Sequence, residues 1–529
     1  VGRDHELEEA VGALASGRGA LVVGPAGVGR SRLARAASER AGGPVEWFHG
    51  ASTAPFVTRR GDLAVATDTL ARLESDPIRL AAEAAVDVQQ IKAELDHPVV
   101  DADGHVVEAL PVVVDYIRRV AGDGPADRFL PSSVTFSTED APKEGSVMAP
   151  WWTVPTNARD RATSFCPALL HERLDEVGID FGILYSSVGL VAFSHGDDET
   201  RRGASRGLNT YLADLMDGLQ DRLTAAAVIP THTPEEAIAE LEHAVQVLGF
   251  KAVMLNDVVT RDGWYDVLAL DGAHDYDPVW QACIDLGVAV TVHSPSWGIG
   301  LRQSSSRYMY NHIGNFAASA EAFAKALFFG GVTNRFPELH VAFLECGVGW
   351  AVQLLGDLRD RWGKRGPGRI DRLDPRHLDV AAWDELLDRY GRGMFDDPAV
   401  RATMAAQSGQ PPADTDDFRA TGVTSKDDVV RQFDGLFFGC EADDGSIPWA
   451  FGKHRLQPIL GSDIGHWDVT DATEVLPEAW ELVEDGLLDR DQFRAFACDN
   501  AIRLHGGMNP AFFDGTPVEA YARGLLTAP

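Results

Sequence analysis

His97-Pro-Val-Val-Asp-Ala-Asp-Gly-His-Val-Val-Glu108, HPVVDADGHVVE, begins apolar and turns polar within a few residues. Pro98 to Asp101 reads as a buried strand that runs straight into a cluster of ionisable groups. Asp103 and His105 sit two apart. Residues two apart in an extended chain point to the same side, so a carboxylate oxygen and an imidazole nitrogen can converge on one point. That is half of a divalent metal site. The same pair also suits a turn with a solvated Asp and a hydrogen-bonded His, so the choice rests on residues further along the chain.

From Pro98 onward the chain alternates short apolar runs with segments of helical period, the pattern of βα units on a parallel sheet. The expected strands are Pro98 to Asp101, Phe181 to Ser186, Leu223 to Pro230, Lys251 to Asn256, Val288 to Ser294, His340 to Cys346, Gly435 to Asp443 and Pro458 to Asp463. EALPVVVDYIRRVAG reads as a helix. TPEEAIAELEHAVQVLG opens with a Thr cap and a Glu three residues later, a capped helix start. Eight such units predict an α/β fold, a (β/α)8 TIM barrel, with a doubly wound open sheet as the alternative. Residues 122–170 and 363–432 read as long insertions, of the kind that cover the active-site end of a barrel. Trp151 and Trp152, in the first, either wall a pocket or anchor the insertion.

In a barrel the functional groups lie at the C-terminal strand ends. Those ends supply Asp103 and His105, then His293, Glu345, Glu441 with Asp443, and Asp463 followed by His466 and Asp468. Strands one and eight become neighbours on closure, which brings Asp463 beside Asp103. Acidic and imidazole groups from strands one, five and eight form a ligand set for one divalent ion, zinc or manganese.

Composition bounds the rest. Of 529 residues, 45% are hydrophobic and 24% charged, an ordinary globular balance with a formal net charge of −33. Such an acidic surface repels nucleic acid and anionic membrane, so the expected partner is a small-molecule substrate, with a homo-oligomer left open. Five scattered cysteines without a CxxC give no disulfide framework and suit a reducing cytoplasm. No apolar run is long enough to span a membrane. The opening residues do not read as a secretory leader.

Before the barrel, ALVV and then Gly24-Pro-Ala-Gly-Val-Gly29-Arg30-Ser31 follow the spacing of a P-loop, with Arg30 where the pattern has Lys. This start resembles the ATPase domains of AAA-type and LuxR-type regulators, with Gly24, Gly29, Arg30 and Ser31 as the phosphate-binding positions. An acidic strand to support magnesium is missing before the barrel begins, so ATP binding is doubtful and hydrolysis is not expected. The expected organisation is a partial P-loop segment at 1–57, a junction at 58–96, the barrel at 97–515 and a tail at 516–529.

DADGHVVE, TVHSP, NRFPELHVAFLECGVGW and GSDIGHWD together resemble the amidohydrolase-related family, in its aminocarboxymuconate-semialdehyde decarboxylase-like branch. The resemblance covers about residues 90–515. It implies a metal-dependent barrel whose ligands here are Asp103, His105, His293 and Asp463. Two departures stand out. Relatives often have H-x-H on the first strand, where this chain has Asp103, which adds charge and harder oxygen ligation. Many have a sixth-strand His, where this chain has Glu345. The activity implied is a hydrolase that activates water on the metal and acts on a small carbonyl- or carboxylate-containing substrate. Asp463 is then both ligand and proton acceptor, and Glu345, His466 or His312 serves for proton transfer or substrate contact. The alternatives are a non-oxidative decarboxylase of an aromatic or enoic acid, and a nucleotide-sensing protein with a non-catalytic barrel.

Overall fold

A computed structural model describes three short strands, at 20–21, 46–49 and 55–58, and then residues 88–133, 147–148, 154–261, 264–296, 299–406, 415–452, 455–466 and 468–527. The P-loop-like residues Gly24, Gly29, Arg30 and Ser31 and the pair Trp151 and Trp152 lie outside the described residues.

Eight strands form one parallel sheet: β1 Val100–Val106, β2 Phe181–Ser186, β3 Leu223–Ile229, β4 Ala252–Leu255, β5 Val290–Val292, β6 Val341–Phe343, β7 Leu436–Cys440 and β8 Gln457–Leu460. They neighbour one another in chain order, every pair parallel. Helices such as Pro167–Val177, Asp198–Leu215, Pro234–Glu242, Asp277–Leu286, Asn315–Phe329 and Gly349–Arg365 carry the chain back between strands. The strands are almost wholly buried, because helices cover the outside and side chains fill the inside.

Closure of the barrel is made by backbone beyond the strand ends. The Asp463 N–H donates to the Asp103 carbonyl at 3.0 Å, and the His105 N–H donates to the Ile464 carbonyl at 2.8 Å. The fold is a (β/α)8 barrel, as its periodicity predicts. The strands are mostly shorter than the apolar runs, so Asn256, His293, Glu345, Glu441 and Asp463 stand just past them. The first strand departs the other way: it continues through Asp103 and His105 to Val106.

The capped helix forms as expected, with the Thr233 side chain accepting from the Glu236 N–H at 3.3 Å. Glu236 does not complete the reciprocal box. Its carboxylate takes the N–H of His232 at 2.6 Å and pairs with the buried Arg201 guanidinium. A buried cation needs a partner more than an exposed cap does. Within the second insertion, helices Val380–Tyr390 and Pro398–Ala405 bury no residue. No described helix is long and apolar enough to cross a membrane.

Candidate metal centre

The site starts with Asp101. Its carboxylate is 2% exposed and accepts three hydrogen bonds: from the Asp103 N–H (3.1 Å), the Ser462 N–H (2.9 Å) and the Ser462 hydroxyl (2.6 Å). One buried side chain therefore ties the first half of β1 to the segment after β8. Two glycines let those backbones close up. A Cβ on Gly461 would lie 2.9 Å from the Asp103 Cβ, and one on Gly465, at φ 105°, would lie 2.5 Å from the His105 carbonyl oxygen. The pairing of β1 with β2 shifts register between Asp101 and Gly104, a bulge that re-aims the residues after it.

Around this closure the predicted residues converge. His105 Nε2 is 3.7 Å from Asp103 Oδ1, 3.2 Å from Asp463 Oδ1 and 3.9 Å from Glu345 Oε2. His293 Nε2 is 3.1 Å from Glu345 Oε2. His466 lies flat on His105, ring centroids 3.8 Å apart, with Nδ1 3.0 Å from Asp463 Oδ1 and Nε2 3.1 Å from the Ser187 hydroxyl. Phe316 packs edge-on against His293 at 4.6 Å. Ligand atoms of Asp103, His105 and His293, and of His105, Glu345, Asp463 and His466, each fall within 4.8 Å of one another.

Two of these residues carry backbone strain. Glu345 and Asp463 have φ of 49° and 51°, the left-handed region that costs a side chain about 1–2 kcal/mol. Both stand where a barrel strand turns out of the sheet. The turn aims their carboxylates inward.

Burial and mutual repulsion set the electrostatics. Burial first, then neighbouring carboxylates, pushes Asp463, Glu345 and Asp103 well above the usual carboxylate range, with His293 pulling Asp103 the other way. Burial holds His105, His293 and His466 below the usual imidazole range. Asp103 Oδ1, His105 Nε2, His293 Nε2, Glu345 Oε2 and both Asp463 carboxylate oxygens are buried without a hydrogen-bond partner. Buried polar atoms are rarely left so, and here they share one small volume. Two imidazoles with two or three carboxylates fit a borderline or hard divalent ion, whose charge would favour ionised carboxylates and neutral imidazoles.

Above the centre lies a cavity of about 610 Å3, lined by His312, Phe316, Glu345, Trp350, Glu441, Asp444 and Asp468 among others. His312 Nε2 is 3.1 Å from Asp468 Oδ2, and its Nδ1 is 3.1 Å from the Tyr308 hydroxyl. His312 is therefore at the mouth rather than in the inner cluster. Asp443 borders an adjoining acidic recess with Asp463 and Glu478.

Reading strand ends finds these residues but misses those that hold them. Asp101 has a signal, since Asp101, Asp103 and His105 keep a period of two. Ser462 and Ser187 have none, because a serine beside a turn looks the same whatever it supports. Asp257, just past β4, is also missed: it is 1% exposed, its carboxylate oxygens have no hydrogen-bond partner, and burial pushes it up to about 6.

An eight-stranded parallel barrel with acidic and imidazole groups gathered at its C-terminal end defines a class of metal-dependent barrel proteins. An amidohydrolase family model matches residues 156–413, and the chain carries an amidohydrolase-family domain. The matched stretch contains His293, His312 and Glu345; Asp103, His105 and Asp463 reach the same cluster by barrel closure. Gamma-resorcylate decarboxylase from Polaromonas sp. JS666 is 26% identical over 204 residues, 37% of this chain and 60% of that protein. The chain thus aligns with under two thirds of that relative's length. An amidohydrolase structure from Mycobacterium avium subsp. paratuberculosis K-10 has a TM-score of 0.48 at 15% identity, covering 78% of this chain and 100% of that one. A dihydroxybenzoic acid decarboxylase structure from Polaromonas sp. JS666, holding manganese and 2-nitroresorcinol, has a TM-score of 0.43 at 17% identity, covering 77% and 97%.

Proposed function

We propose that this barrel is a metal-dependent hydrolase of a small carbonyl-containing substrate. The observation that carries the reading is the convergence of unpartnered, buried ligand atoms from Asp103, His105, His293, Glu345 and Asp463. Asp103, His105, His293 and Asp463 would hold one divalent ion, manganese or zinc. When bound, such an ion supplies Lewis acidity and makes water a usable nucleophile near neutral pH. Asp463 is the proton acceptor, because its second oxygen is free while the first faces His105 and His466. His466 backs Asp463 and can pass a proton on to the Ser187 hydroxyl. His312, at the mouth and paired with Asp468, stands where an arriving substrate would make contact. Phe316 and Trp350 give the cavity its apolar wall.

The second reading is non-oxidative decarboxylation of an aromatic acid, favoured by the similarity to gamma-resorcylate decarboxylase. Charge speaks for the first. The charged residues described as lining the cavity are Glu345, Glu441, Asp444 and Asp468, with His312 beside them, which without a cation bound among them is a poor setting for a substrate carboxylate.

The test is turnover by manganese- or zinc-reconstituted protein on a panel of esters, lactones, amides and hydroxybenzoates in 18O-labelled water. Hydrolysis incorporates label into the product acid; decarboxylation releases CO2 with no label in the aromatic product. Asp463→Asn should lower kcat about 100-fold or more. Full turnover in that variant would overturn the assignment.

A further inference from the structure

We infer that His312, Asp468 and Glu345 form a second divalent-cation site, at the mouth of the barrel and adjoining the first through Glu345. The inference rests on the proposed metal reading and extends it from one ion to two.

Three observations carry it. First, ligand atoms of His312, Glu345 and Asp468 lie within 4.8 Å of one another, a grouping separate from the inner cluster except for Glu345. Second, Glu345 belongs to both groupings. Its side chain is 3% exposed, its unpartnered Oε2 faces the inner set at 3.1 Å from His293 Nε2, and the residue lines the same cavity as His312 and Asp468. A carboxylate facing two ligand sets is the usual bridge between two ions. Third, His312 is arranged as metal-ligating histidines are. Its Nε2 faces the carboxylate of Asp468, while its Nδ1 is 3.1 Å from the Tyr308 hydroxyl and can donate to it. That outer bond fixes the ring and leaves the Nε2 lone pair for a cation.

The charge of the whole centre agrees. Asp103, Glu345, Glu441, Asp463 and Asp468 are five carboxylates gathered about four imidazoles. A single divalent ion balances two of them. A second would bring these five to within one charge of balance, with Asp444 on the cavity wall besides. The outer position opens on the cavity, where Asp468 is 29% exposed. It is the side from which a substrate oxygen would arrive, so the second ion would face the substrate and the first would lie deeper.

The experiment uses the full chain, stripped with chelator, reconstituted with manganese(II) and desalted. Metal content is read by elemental mass spectrometry and the spin state by electron paramagnetic resonance. The expected result is about two equivalents in the wild type with an exchange-coupled signal. Asp468→Asn and His312→Gln should each drop to about one equivalent with the signal of an isolated ion, while circular dichroism matches the wild type. Wild type holding a single equivalent that both variants retain would overturn the second site and leave the first standing. Two equivalents in both variants would overturn it as well, because the outer ion would lie elsewhere. No bound manganese in the wild type would overturn both readings. Asp463→Asn serves as the separate control, since it should lose the inner ion.

Discussion

Replacing Asp101 by Ala should open the barrel where it closes. The carboxylate accepts the N–H groups of Asp103 and Ser462 and the Ser462 hydroxyl, all in a site 2% exposed. Removing it leaves two buried N–H donors without an acceptor, at about 1–3 kcal/mol each. The hydroxyl counts for less, because Ser462 Oγ still accepts the Ile464 N–H at 3.0 Å and can rotate. Burial pushes Asp101 up to about 6, so its ionised form costs about 3 kcal/mol at neutral pH, which any neutral replacement recovers. The net expectation at about pH 4, where that cost is absent, is a loss of about 3–4 kcal/mol. Asp101→Asn is the discriminating partner. Its amide oxygen keeps both N–H bonds and its amide N–H can donate to Ser462 Oγ, so the cost should stay near about 1 kcal/mol. Urea unfolding at that pH, followed by far-ultraviolet circular dichroism, measures both. Because the Asp463 and His105 backbones are held across the same seam, metal affinity should fall about 10–100-fold in the alanine variant. An alanine variant within about 0.5 kcal/mol of the wild type, with unchanged metal affinity, would show that Asp101 does not hold the seam.

Glu108 is buried, accepts from the Ser186 hydroxyl and from the Val188 N–H at 2.9 Å, and is pushed by burial up to about 7. Its folded value lies above its unfolded one, so its contribution is full below about pH 4.5 and is lost as pH rises through 7. Glu108→Gln, which copies the protonated acid, should flatten the stability profile between those limits and show a relative gain of up to about 3 kcal/mol at about pH 8, measured by urea unfolding; a slope identical to wild type would exclude the role. Gly465→Ala should cost about 2–4 kcal/mol and most of the metal affinity, since φ is 105° and the new Cβ would sit 2.5 Å from the His105 carbonyl. Full metal content in that variant would show that the seam can shift without harm.

The barrel was legible because its period is carried by many residues at once. Runs such as Phe181–Ser186 are apolar and short and alternate with segments of helical period, which calls for a parallel sheet covered by helices, and eight units suit closure. The convergence of Asp103, His105, His293 and Asp463 was legible because the fold puts strand ends together and the side chains there are ionisable where an apolar residue would otherwise serve. What supports them was not. The inward aim of Glu345 and Asp463 depends on positive φ, which no side-chain pattern announces for an acidic residue. The closing contacts of Asp101 with Ser462 span 361 positions, and neither residue type is unusual. The stack of His466 on His105 depends on the turn at Gly465, so His466 could be named as a candidate but not placed. Helix starts show the same limit: Thr233 caps its helix as the local pattern says, while Glu236 answers to Arg201, thirty-five residues earlier.

Calorimetric titration of the chelator-stripped chain with manganese(II), repeated on His293→Ala, probes the metal centre with the fewest intermediate steps. Saturable binding at micromolar or lower concentrations is expected in the wild type. It should weaken about 100-fold or more in the variant, because His293 supplies an imidazole that nothing beside it can replace. Equal affinity in the two proteins, or no binding in the wild type, would contradict a metal centre built on His293.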